Sequence, residues 1–323
     1  MKIVLTQQLD AGAMRLLEES RAEIFTANSA DFTAFMDRME EADAVIIRVG
    51  QLTAEIMDRC PHLKVIGITG VGYDRVDVKH ASKKDIPVVW TPGANSLSVA
   101  EHTVALMFAA AKNITESDRE LRQGSWKIRD AGRSFELFGK TVGIIGVGAI
   151  GVHVARICQG IGMKTIGFSH SGNRKKVEAA GCGYCETLEE LLQKSDFVTI
   201  HNPLTPETEN MITARELGRM KKTAILINTS RGPIVNEKDL AAALDGGVIA
   251  GAGIDVFGKE PAEPDNPVFS AKNTVVTPHL AALTREAKTR MHVNCVKGVL
   301  ALLSGEVWED VVDKKVCRMA AQS

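Results

Sequence analysis

The chain contains the stretch Thr141-Val142-Gly143-Ile144-Ile145-Gly146-Val147-Gly148-Ala149-Ile150-Gly151, followed by Val152-His153-Val154-Ala155-Arg156. The first five residues are apolar or small, which predicts a buried parallel strand, and the last residues predict an amphipathic helix. Gly146, Gly148 and Gly151 lie between them at G-x-G-x-x-G spacing. This spacing suits a tight turn, close approach of a pyrophosphate, and close packing of helix against strand. Because the helix N-terminus offers N–H groups and a positive dipole end, the stretch predicts a dinucleotide site.

Short apolar strands alternate with helices on both sides of this stretch, which predicts an α/β fold with parallel sheets covered on both faces. In the first part we predict strands at 2–6, 23–26, 44–49, 63–68 and 86–90, and helices at 11–19, 31–41, 53–60 and 77–84. A long apolar helix at 97–112 opens the second part. There we predict strands at 141–145, 164–168, 197–200, 224–227, 250–256 and 274–276, and helices at 188–194 and 238–245. A helix at 285–303 then folds back onto the first domain and makes it discontinuous.

Length and composition indicate a globular protein and argue against proteins that bind nucleic acid or membranes. The 323 residues are sufficient for two domains with buried cores, and 45% apolar with 24% charged residues is ordinary for a soluble globular protein. A formal net charge of −1 gives no general attraction to nucleic acid or to an anionic membrane. The chain begins in a predicted strand and has no apolar run of about 20 residues. We therefore expect a cytoplasmic protein without a nucleic-acid or membrane partner.

The cysteines are scattered through the chain, which predicts reduced thiols rather than a disulfide framework. Cys182 and Cys185 form a single C-x-x-C, which we interpret as a structural coincidence, and we expect no bound metal. The six are Cys60, Cys158, Cys182, Cys185, Cys295 and Cys317.

Three charged or titratable residues follow successive predicted strands. They are Arg231, Glu260 and His279, and the carboxyl ends of such strands face the same crevice as the glycine loop. A guanidinium can hold a carboxylate through two parallel hydrogen bonds. A histidine can exchange a proton with a carbonyl/alcohol pair, and a nearby carboxylate fixes its tautomer. Together the three suit hydride transfer between a nicotinamide and a 2-oxo/2-hydroxy acid, although each alone is better explained as a surface charge or an ordinary hydrogen-bonded histidine.

Several motifs, in order, make the sequence similar to the D-isomer-specific 2-hydroxyacid dehydrogenase family, in its phosphoglycerate dehydrogenase and glyoxylate/hydroxypyruvate reductase branch. The resemblance covers almost the whole chain. Its motifs are Pro92-Gly93-Ala94-Asn95, Val99-Ala100-Glu101-His102-Thr103, the glycine loop at 146–151, His201-Asn202-Pro203-Leu204-Thr205, Asn228-Thr229-Ser230-Arg231-Gly232, Gly253-Ile254-Asp255-Val256-Phe257, Glu260-Pro261 and Thr277-Pro278-His279.

The resemblance implies two Rossmann-like, doubly wound domains. Residues 1–95 plus 286–323 would form a flavodoxin-like substrate-binding domain, and 96–285 an NAD(P)-binding domain whose arm at about 113–140 serves a homodimer. Arg231 would bind the substrate carboxylate, and His279 would be the general acid with Glu260 as its partner. We assign substrate binding to Arg48, Val71, Gly72, Asn95, Arg231 and His279. We assign cofactor binding to Gly146, Gly148, Ala149, Ile150, Gly151, Ser169, His170, Arg174, Pro203, Thr229, Ser230, Arg231, Asp255, His279 and Ala281.

One position departs from the pattern of NAD-preferring members, in which a carboxylate ends the second strand of the nucleotide domain and binds the ribose 2′-hydroxyl. Here that position is Ser169, followed by His170 and the cations Arg174, Lys175 and Lys176. With no carboxylate to repel a 2′-phosphate, we predict that NADP(H) is favoured over NAD(H). The alternative is that these cations only begin a solvated helix and that NADH is used.

The substrate side chain is not specified by these motifs. Arg48 stands at the end of a predicted strand, where phosphoglycerate dehydrogenases of the family also place an arginine. Its side chain suits either a second anionic group on the substrate or solvent. Hydroxypyruvate, glyoxylate and 3-phosphoglycerate are the candidates. A formate dehydrogenase shares the fold but normally pairs its histidine with glutamine rather than with a residue like Glu260. A dinucleotide-sensing corepressor is the alternative from another class.

Overall fold

The chain divides into two compact units in this computed structural model, which describes residues 1–130 and 132–316. One unit comprises Met1–Asn95 and the chain from Leu283 onward, and the other is Ser96–Ala282. The predicted reduced state of Cys317 and the last residues of the predicted first domain lie outside the described residues. Cys60, Cys158, Cys182, Cys185 and Cys295 are unpaired thiols in buried positions.

The first unit contains a five-stranded, all-parallel sheet with the order β2-β1-β3-β4-β5. This is the order of a flavodoxin-like doubly wound sheet. Its strands are β1 Lys2–Leu5, β2 Glu23–Thr26, β3 Ala44–Ile47, β4 Val65–Ile68 and β5 Val88–Val89. The helices between them are α1 Ala11–Glu19, α2 Met36–Glu40, α3 Ala54–Asp58 and α4 Val78–Lys83.

Alternate residues of these strands point to opposite faces of the sheet, and both faces are apolar. Val4, Val45 and Ile66 pack in one buried cluster, whereas Ile3 and Ile46 pack in another. The near-continuous apolar strands of the sequence are therefore explained by a sheet covered on both sides.

The second unit contains a seven-stranded, all-parallel sheet with the order β12-β11-β10-β9-β6-β7-β8. Numbered from its own first strand, this is the Rossmann order 3-2-1-4-5-6 with one strand added beyond the sixth. Its strands are β6 Thr141–Ile145, β7 Lys164–Phe168, β8 Gly183–Tyr184, β9 Phe197–Ile200, β10 Ile225–Asn228, β11 Gly251–Ile254 and β12 Thr274–Val276. Its helices are α5 Ser96–Ala111, α6 Ile114–Arg122, α7 Ala149–Gly160, α8 Arg174–Ala179, α9 Leu188–Lys194, α10 Ala214–Leu217, α11 Glu237–Asp245 and α12 Pro267–Ser270.

The long helix α5 is part of the core of the second unit. It packs against α7 and against the strands β10, β11 and β12, and nine of its residues are buried. A helix this apolar is expected to be covered on most of its surface. Hydrogen bonds from its side chains also reach the turns that follow β10 and β12.

The chain returns to the first unit through α13 Arg285–Leu303, which packs against α1 and the strand β4. Thr284 caps the helix by accepting a hydrogen bond from the Ala287 N–H group. The predicted α/β class, the two doubly wound parallel sheets and the discontinuous first domain are confirmed.

Some predicted elements differ in detail. The helix predicted at 31–41 is a 3₁₀ turn, Phe32–Phe35, followed by the short helix α2, although Asp31 does cap it. The strand predicted at 86–90 pairs only over Val88–Val89. Between Cys182 and Cys185, where no strand was predicted, the chain forms the edge strand β8. In the part of the chain that the structure describes, no helix is both long and apolar enough to cross a membrane.

Candidate active site

The three predicted catalytic residues follow strands that are neighbours in the second sheet. Asn228 of β10 pairs in register with Ile254 of β11, and Ile254 pairs with Val276 of β12. Arg231 comes three residues after β10, and His279 comes three residues after β12. Because all strands are parallel, these residues lie at the same carboxyl edge of the sheet, where open α/β folds bind ligands.

His279 and Glu260 form a direct pair. The Nδ1 atom of His279 lies 2.7 Å from Oε2 of Glu260, and both side chains are partly buried. Glu260 is fixed in turn because its Oε1 accepts a hydrogen bond from the Phe257 N–H group. An ionised carboxylate can only accept, so Nδ1 carries the proton of this bond and Nε2 is left for another partner. The structure thus brings together the predicted general acid and its carboxylate.

The backbone around His279 is held by Asp255, which is fully buried at the end of β11. One carboxylate oxygen accepts hydrogen bonds from the Thr277 hydroxyl at 2.5 Å and from Leu280 N at 2.9 Å, and the other accepts from Ala281 N at 3.0 Å. The Asp255 carbonyl accepts from His279 N at 2.7 Å. We predicted a contact of Asp255 with the nicotinamide; in this structure its carboxylate binds the turn that carries His279.

Arg231 extends from the turn after β10 and is half-buried. Its Nη1 atom donates to the carbonyl of Ser230 at 2.8 Å, and its own carbonyl accepts from the Asn228 side chain. Ser230 Oγ donates to the carbonyl of Asn202, which ties this turn to the turn after β9. Thr229 is buried and its hydroxyl lies 2.9 Å from that of Thr103 on α5. The predicted carboxylate-binding residue therefore sits on a well-bonded turn.

The three glycines of the loop have different surroundings. Gly146 has φ +90°, and a Cβ there would lie 2.1 Å from Oδ1 of Asn202. A Cβ on Gly151 would lie 2.4 Å from the Gly146 carbonyl oxygen. At Gly148, the N-cap of α7, no described atom lies within 4 Å of a Cβ position. A side chain would thus block the turn at Gly146 and the packing at Gly151, but at Gly148 it would only fill space that a pyrophosphate could occupy.

Two buried polar groups beside this loop were not identified from the sequence, although their motif was. Nδ2 of Asn202 and Nδ1 of His201 are buried and have no hydrogen-bond partner in the described chain. Burial lowers the pKa of His201 to about 3, so its imidazole stays neutral near pH 7. Unsatisfied buried polar groups are rare and suggest a missing partner. These two unsatisfied groups and the open space at Gly148 fit a bound dinucleotide. Of the other predicted cofactor residues, Ala149 and Ile150 begin α7, and Pro203 is exposed next to Asn202.

The turn after β7 is much more open. Ser169 is half-buried, and its hydroxyl lies 3.1 Å from that of Ser171 and accepts from Asn173 N. His170 is exposed. Arg174 is also exposed, but it pairs with Glu178 at 2.8 Å and Glu186 at 3.2 Å. The predicted cationic neighbourhood of the ribose is therefore partly compensated by acidic residues.

The predicted substrate residues of the first unit follow its strands β3, β4 and β5. Arg48 comes directly after β3, and its backbone N–H donates to the hydroxyl of buried Thr6. Burial and the charge of Arg75 lower the pKa of Arg48. No carboxylate pairs with Arg48 among residues 1–130 and 132–316. Val71 and Gly72 are half-buried in the turn after β4, whereas Asn95 is buried and its Oδ1 accepts no hydrogen bond from the described chain.

Comparison with known proteins gives a family and several relatives. Residues 104–281 match the model of the D-isomer specific 2-hydroxyacid dehydrogenase NAD-binding domain. A D-3-phosphoglycerate dehydrogenase of Methanocaldococcus jannaschii is 38% identical over 97% of this chain, but this chain spans only 59% of that protein. A glyoxylate reductase of Korarchaeum cryptofilum is also 38% identical, over 88% of this chain and 86% of its own length.

One solved structure is close in both fold and length. It is an NADPH-dependent glyoxylate/hydroxypyruvate reductase of Sinorhizobium meliloti, in complex with citrate. The TM-score is 0.85 at 28% sequence identity, and the superposition covers 96% of this chain and 97% of the other. The resemblance stated from the motifs is confirmed by these matches.

Proposed function

Because the chain belongs to the D-isomer specific 2-hydroxyacid dehydrogenase family, we propose that it reduces a short 2-oxo acid to the D-2-hydroxy acid. As a member of this family it is an NAD(P)-dependent oxidoreductase that acts on the CH–OH group. The observation that carries the proposal is the His279–Glu260 pair at 2.7 Å, set on a turn whose backbone is bound by a buried carboxylate.

The bound nicotinamide would supply or accept the hydride. The open N-terminus of α7 at Gly148, with the N–H groups of Ala149 and Ile150, would hold the pyrophosphate. Pro203, Thr229, Ser230 and Ala281 would line the dinucleotide, as the family resemblance implies. The buried, unpartnered Nδ2 of Asn202 supports this placement because it lies in the turn against Gly146.

His279 would transfer the proton. Its Nδ1–H bond to Glu260 fixes the ring, so Nε2 is the atom available to give a proton to the carbonyl oxygen during reduction and to take it back during oxidation. Glu260 also places a carboxylate charge beside the ring. A glutamine in this position would orient the ring but not supply that charge, so the glutamate favours a hydroxy acid over formate as substrate.

Arg231 would bind the substrate carboxylate through its planar fork. Its attachment to the Ser230 carbonyl fixes the guanidinium at the carboxyl edge of the sheet. Val71, Gly72 and Asn95 remain predictions for substrate binding; their place at the carboxyl edge of the first sheet supports them. Arg48 is half-buried and has no carboxylate partner among the described residues. Its charge therefore suits an anionic ligand, which supports a substrate with a second polar or anionic group.

NADP(H) would be preferred over NAD(H). The position that ends β7 is Ser169, so no carboxylate there repels a 2′-phosphate, and two hydroxyls are available to bind one. The Sinorhizobium meliloti relative is described as NADPH-dependent, which supports the proposal without deciding it. Arg174 would contribute less than its charge suggests, because Glu178 and Glu186 already pair with it.

The functional form would be a homodimer built on the arm at about 113–140. Every described residue of α6 is at least partly exposed, and the arm presents large apolar side chains to solvent. The four are Ile114, Leu121, Trp126 and Phe138. An apolar surface of this kind usually marks a protein interface, and a second copy of this chain is the partner that the family resemblance implies.

The proposal is tested by initial rates with NADPH and with NADH against a panel of acids. The panel contains glyoxylate, hydroxypyruvate, pyruvate, phenylpyruvate and 3-phosphohydroxypyruvate, with glycolaldehyde as the matched control that lacks the carboxylate. We expect turnover of at least one short 2-oxo acid, faster with NADPH, and none of glycolaldehyde. Dinucleotide binding without turnover of any acid would contradict the proposal and favour a sensing protein, and oxidation of formate would favour a formate dehydrogenase.

A further inference from the structure

The helix α5 contacts both ends of the turn that carries His279. The Ser98 hydroxyl donates to the carbonyl of Ala281 at 2.6 Å, in a buried position. One helical turn later, Nε2 of His102 lies 3.0 Å from the hydroxyl oxygen of Thr277. Residues four apart share one face of a helix. The same face of α5 therefore reaches the first and the last residue of the segment 277–281.

The direction of these bonds follows from the donors available. A hydroxyl has one proton, and that of Thr277 is donated to the Asp255 carboxylate at 2.5 Å. His102 must therefore donate to Thr277 through Nε2–H. Burial lowers the pKa of His102 and the charge of Asp255 opposes this only partly, so a neutral ring with its proton on Nε2 satisfies the arrangement. The result is a chain of hydrogen bonds from α5 through Thr277 to the buried carboxylate.

The turn needs such support because His279 has φ +51°. A residue with a side chain pays a conformational free-energy cost in this left-handed region, and it stays there only where its surroundings enforce it. Asp255 binds the N–H groups of His279, Leu280 and Ala281 by its carbonyl and carboxylate. The Thr277 hydroxyl donates a further hydrogen bond to this carboxylate and so helps to orient it towards Leu280 and Ala281.

We propose that Ser98 and His102 form a clamp, the α5 clamp, that positions His279 for proton transfer. His102 acts through Thr277 and Asp255, and Ser98 acts through the Ala281 carbonyl; neither is required to touch the substrate. Thr103 on the same helix lies 2.9 Å from Thr229, in the turn that leads to Arg231. The buried helix α5 thus serves as a common support for the turns that carry both proposed substrate-contacting residues. The catalytic part of this inference rests on the proposed function.

The experiment compares variants that break the clamp with variants that preserve its chemistry. His102→Leu removes the donor, whereas His102→Gln keeps an N–H donor at a similar reach. Thr277→Val removes the hydroxyl at nearly constant volume and tests the same bond if His102→Leu fails to fold. For Ser98→Ala the matched control is Ser195→Ala, because Ser195 also donates to a main-chain carbonyl at 2.6 Å in a buried position, but at the C-terminus of α9.

Two readouts separate positioning from stability. We expect His102→Leu and Thr277→Val to lower kcat about 10- to 100-fold, the usual consequence of a reacting group displaced by about 1 Å. The dissociation constant of the dinucleotide should change much less than kcat, since the glycine loop proposed to hold the pyrophosphate is not altered. His102→Gln should recover most of kcat. Ser98→Ala should lower kcat by more than Ser195→Ala.

The second readout is amide hydrogen exchange of Leu280 and Ala281 in the protein without ligand, which needs no turnover. We expect both amides to exchange at least about tenfold faster in His102→Leu than in the wild type, with little change in His102→Gln. Wild-type kcat and unchanged exchange in His102→Leu would overturn the inference, as would a His102→Gln variant as slow as His102→Leu. If the wild type itself reduces no 2-oxo acid, the proposed function fails, whereas the exchange rates still decide whether the clamp holds this turn.

Discussion

Two turns of the second unit, the one after β12 and the one after β7, are built in opposite ways. In the turn that carries His279, the N–H groups of residues 279–281 all bond to the buried Asp255, and α5 holds both ends. In the turn that begins at Ser169, the side chains are half-buried or exposed. There the hydroxyls bond mainly to one another and to a backbone N–H group.

Under the proposed function, the first turn would serve the reaction chemistry and the second turn the choice of coenzyme. Proton transfer depends on sub-ångström placement, which agrees with the buried hydrogen bonds that fix the turn proposed to perform it. Discrimination between a 2′-hydroxyl and a 2′-phosphate depends on a few exposed charges, whose individual contributions are small. We therefore expect single substitutions to have large effects at the first turn and modest effects at the second.

The largest effect is expected for His279→Ala, which removes the proposed acid from the first turn. The rate of 2-oxo acid reduction should fall by about 10² to 10⁴, while NADPH binding, measured by fluorescence titration, should be retained. His62→Ala, at an exposed position in the first unit, is the control and should leave the rate unchanged. Turnover of His279→Ala close to that of the wild type would remove His279 from its role.

Arg231→Lys should have the next largest effect, because the ammonium keeps the charge but loses the fork. Loss of a hydrogen bond to a charged group corresponds to about a 10- to 100-fold decrease in kcat/KM for the acid. Steady-state kinetics with the best acid of the panel measure it. Arg219→Lys is the matched control, since Arg219 pairs with Glu189 at the surface. An unchanged kcat/KM for Arg231→Lys would mean that the carboxylate is bound by other residues.

Ser169→Asp tests the second turn and should act on coenzyme choice alone. A carboxylate near the 2′-phosphate should reduce the ratio of kcat/KM for NADPH to that for NADH about tenfold, after allowance for solvent screening. Ser169→Asn, similar in shape but neutral, should leave the ratio near the wild-type value. If the aspartate variant keeps the wild-type ratio, the ribose is recognised by residues other than Ser169.

The smallest effect is expected for Arg174→Gln. Because Arg174 already pairs with Glu178 and Glu186, its loss should raise the KM for NADPH only about two- to fivefold. The KM for NADH should not change, and this serves as the internal control. An equal increase for both coenzymes would show that Arg174 acts on the structure of the turn rather than on the phosphate.

Much of the fold was predictable because the sequence signals are local and strong. The helices Ala11–Glu19 and Arg285–Leu303 and the strand Thr274–Val276 have the predicted bounds, since caps and apolar periodicity mark their ends. The helix α6 was missed because it is short and polar, with Ile114 and Leu121 as its only large apolar residues, so its apolar stripe is too sparse to indicate a helix. The prediction at 31–41 failed in detail because capping by Asp31 favours a first turn without specifying whether it is 3₁₀ or α.

For the site as well, local motifs were predictable from the sequence, whereas contacts between residues far apart in sequence were not. The glycine loop and the strand ends identified where Arg231 and His279 lie, because parallel strands place their carboxyl ends at one edge. The supporting role of His102 was not visible, since its partner Thr277 is 175 residues away in sequence. Nor did the cations after Ser169 reveal that Glu186, outside the motif, pairs with Arg174. Interactions between distant positions require the three-dimensional arrangement.

D-specific reduction with His279 as the proton donor is tested by the configuration of the product formed from hydroxypyruvate with NADPH. The product is separated by chiral chromatography after conversion by the wild type, with His279→Ala run in parallel. We expect D-glycerate alone, formed by His279→Ala at least about 10²-fold more slowly than by the wild type. L-glycerate, a racemic product, or equal amounts of D-glycerate from both proteins would contradict the proposed role of His279 in D-specific reduction.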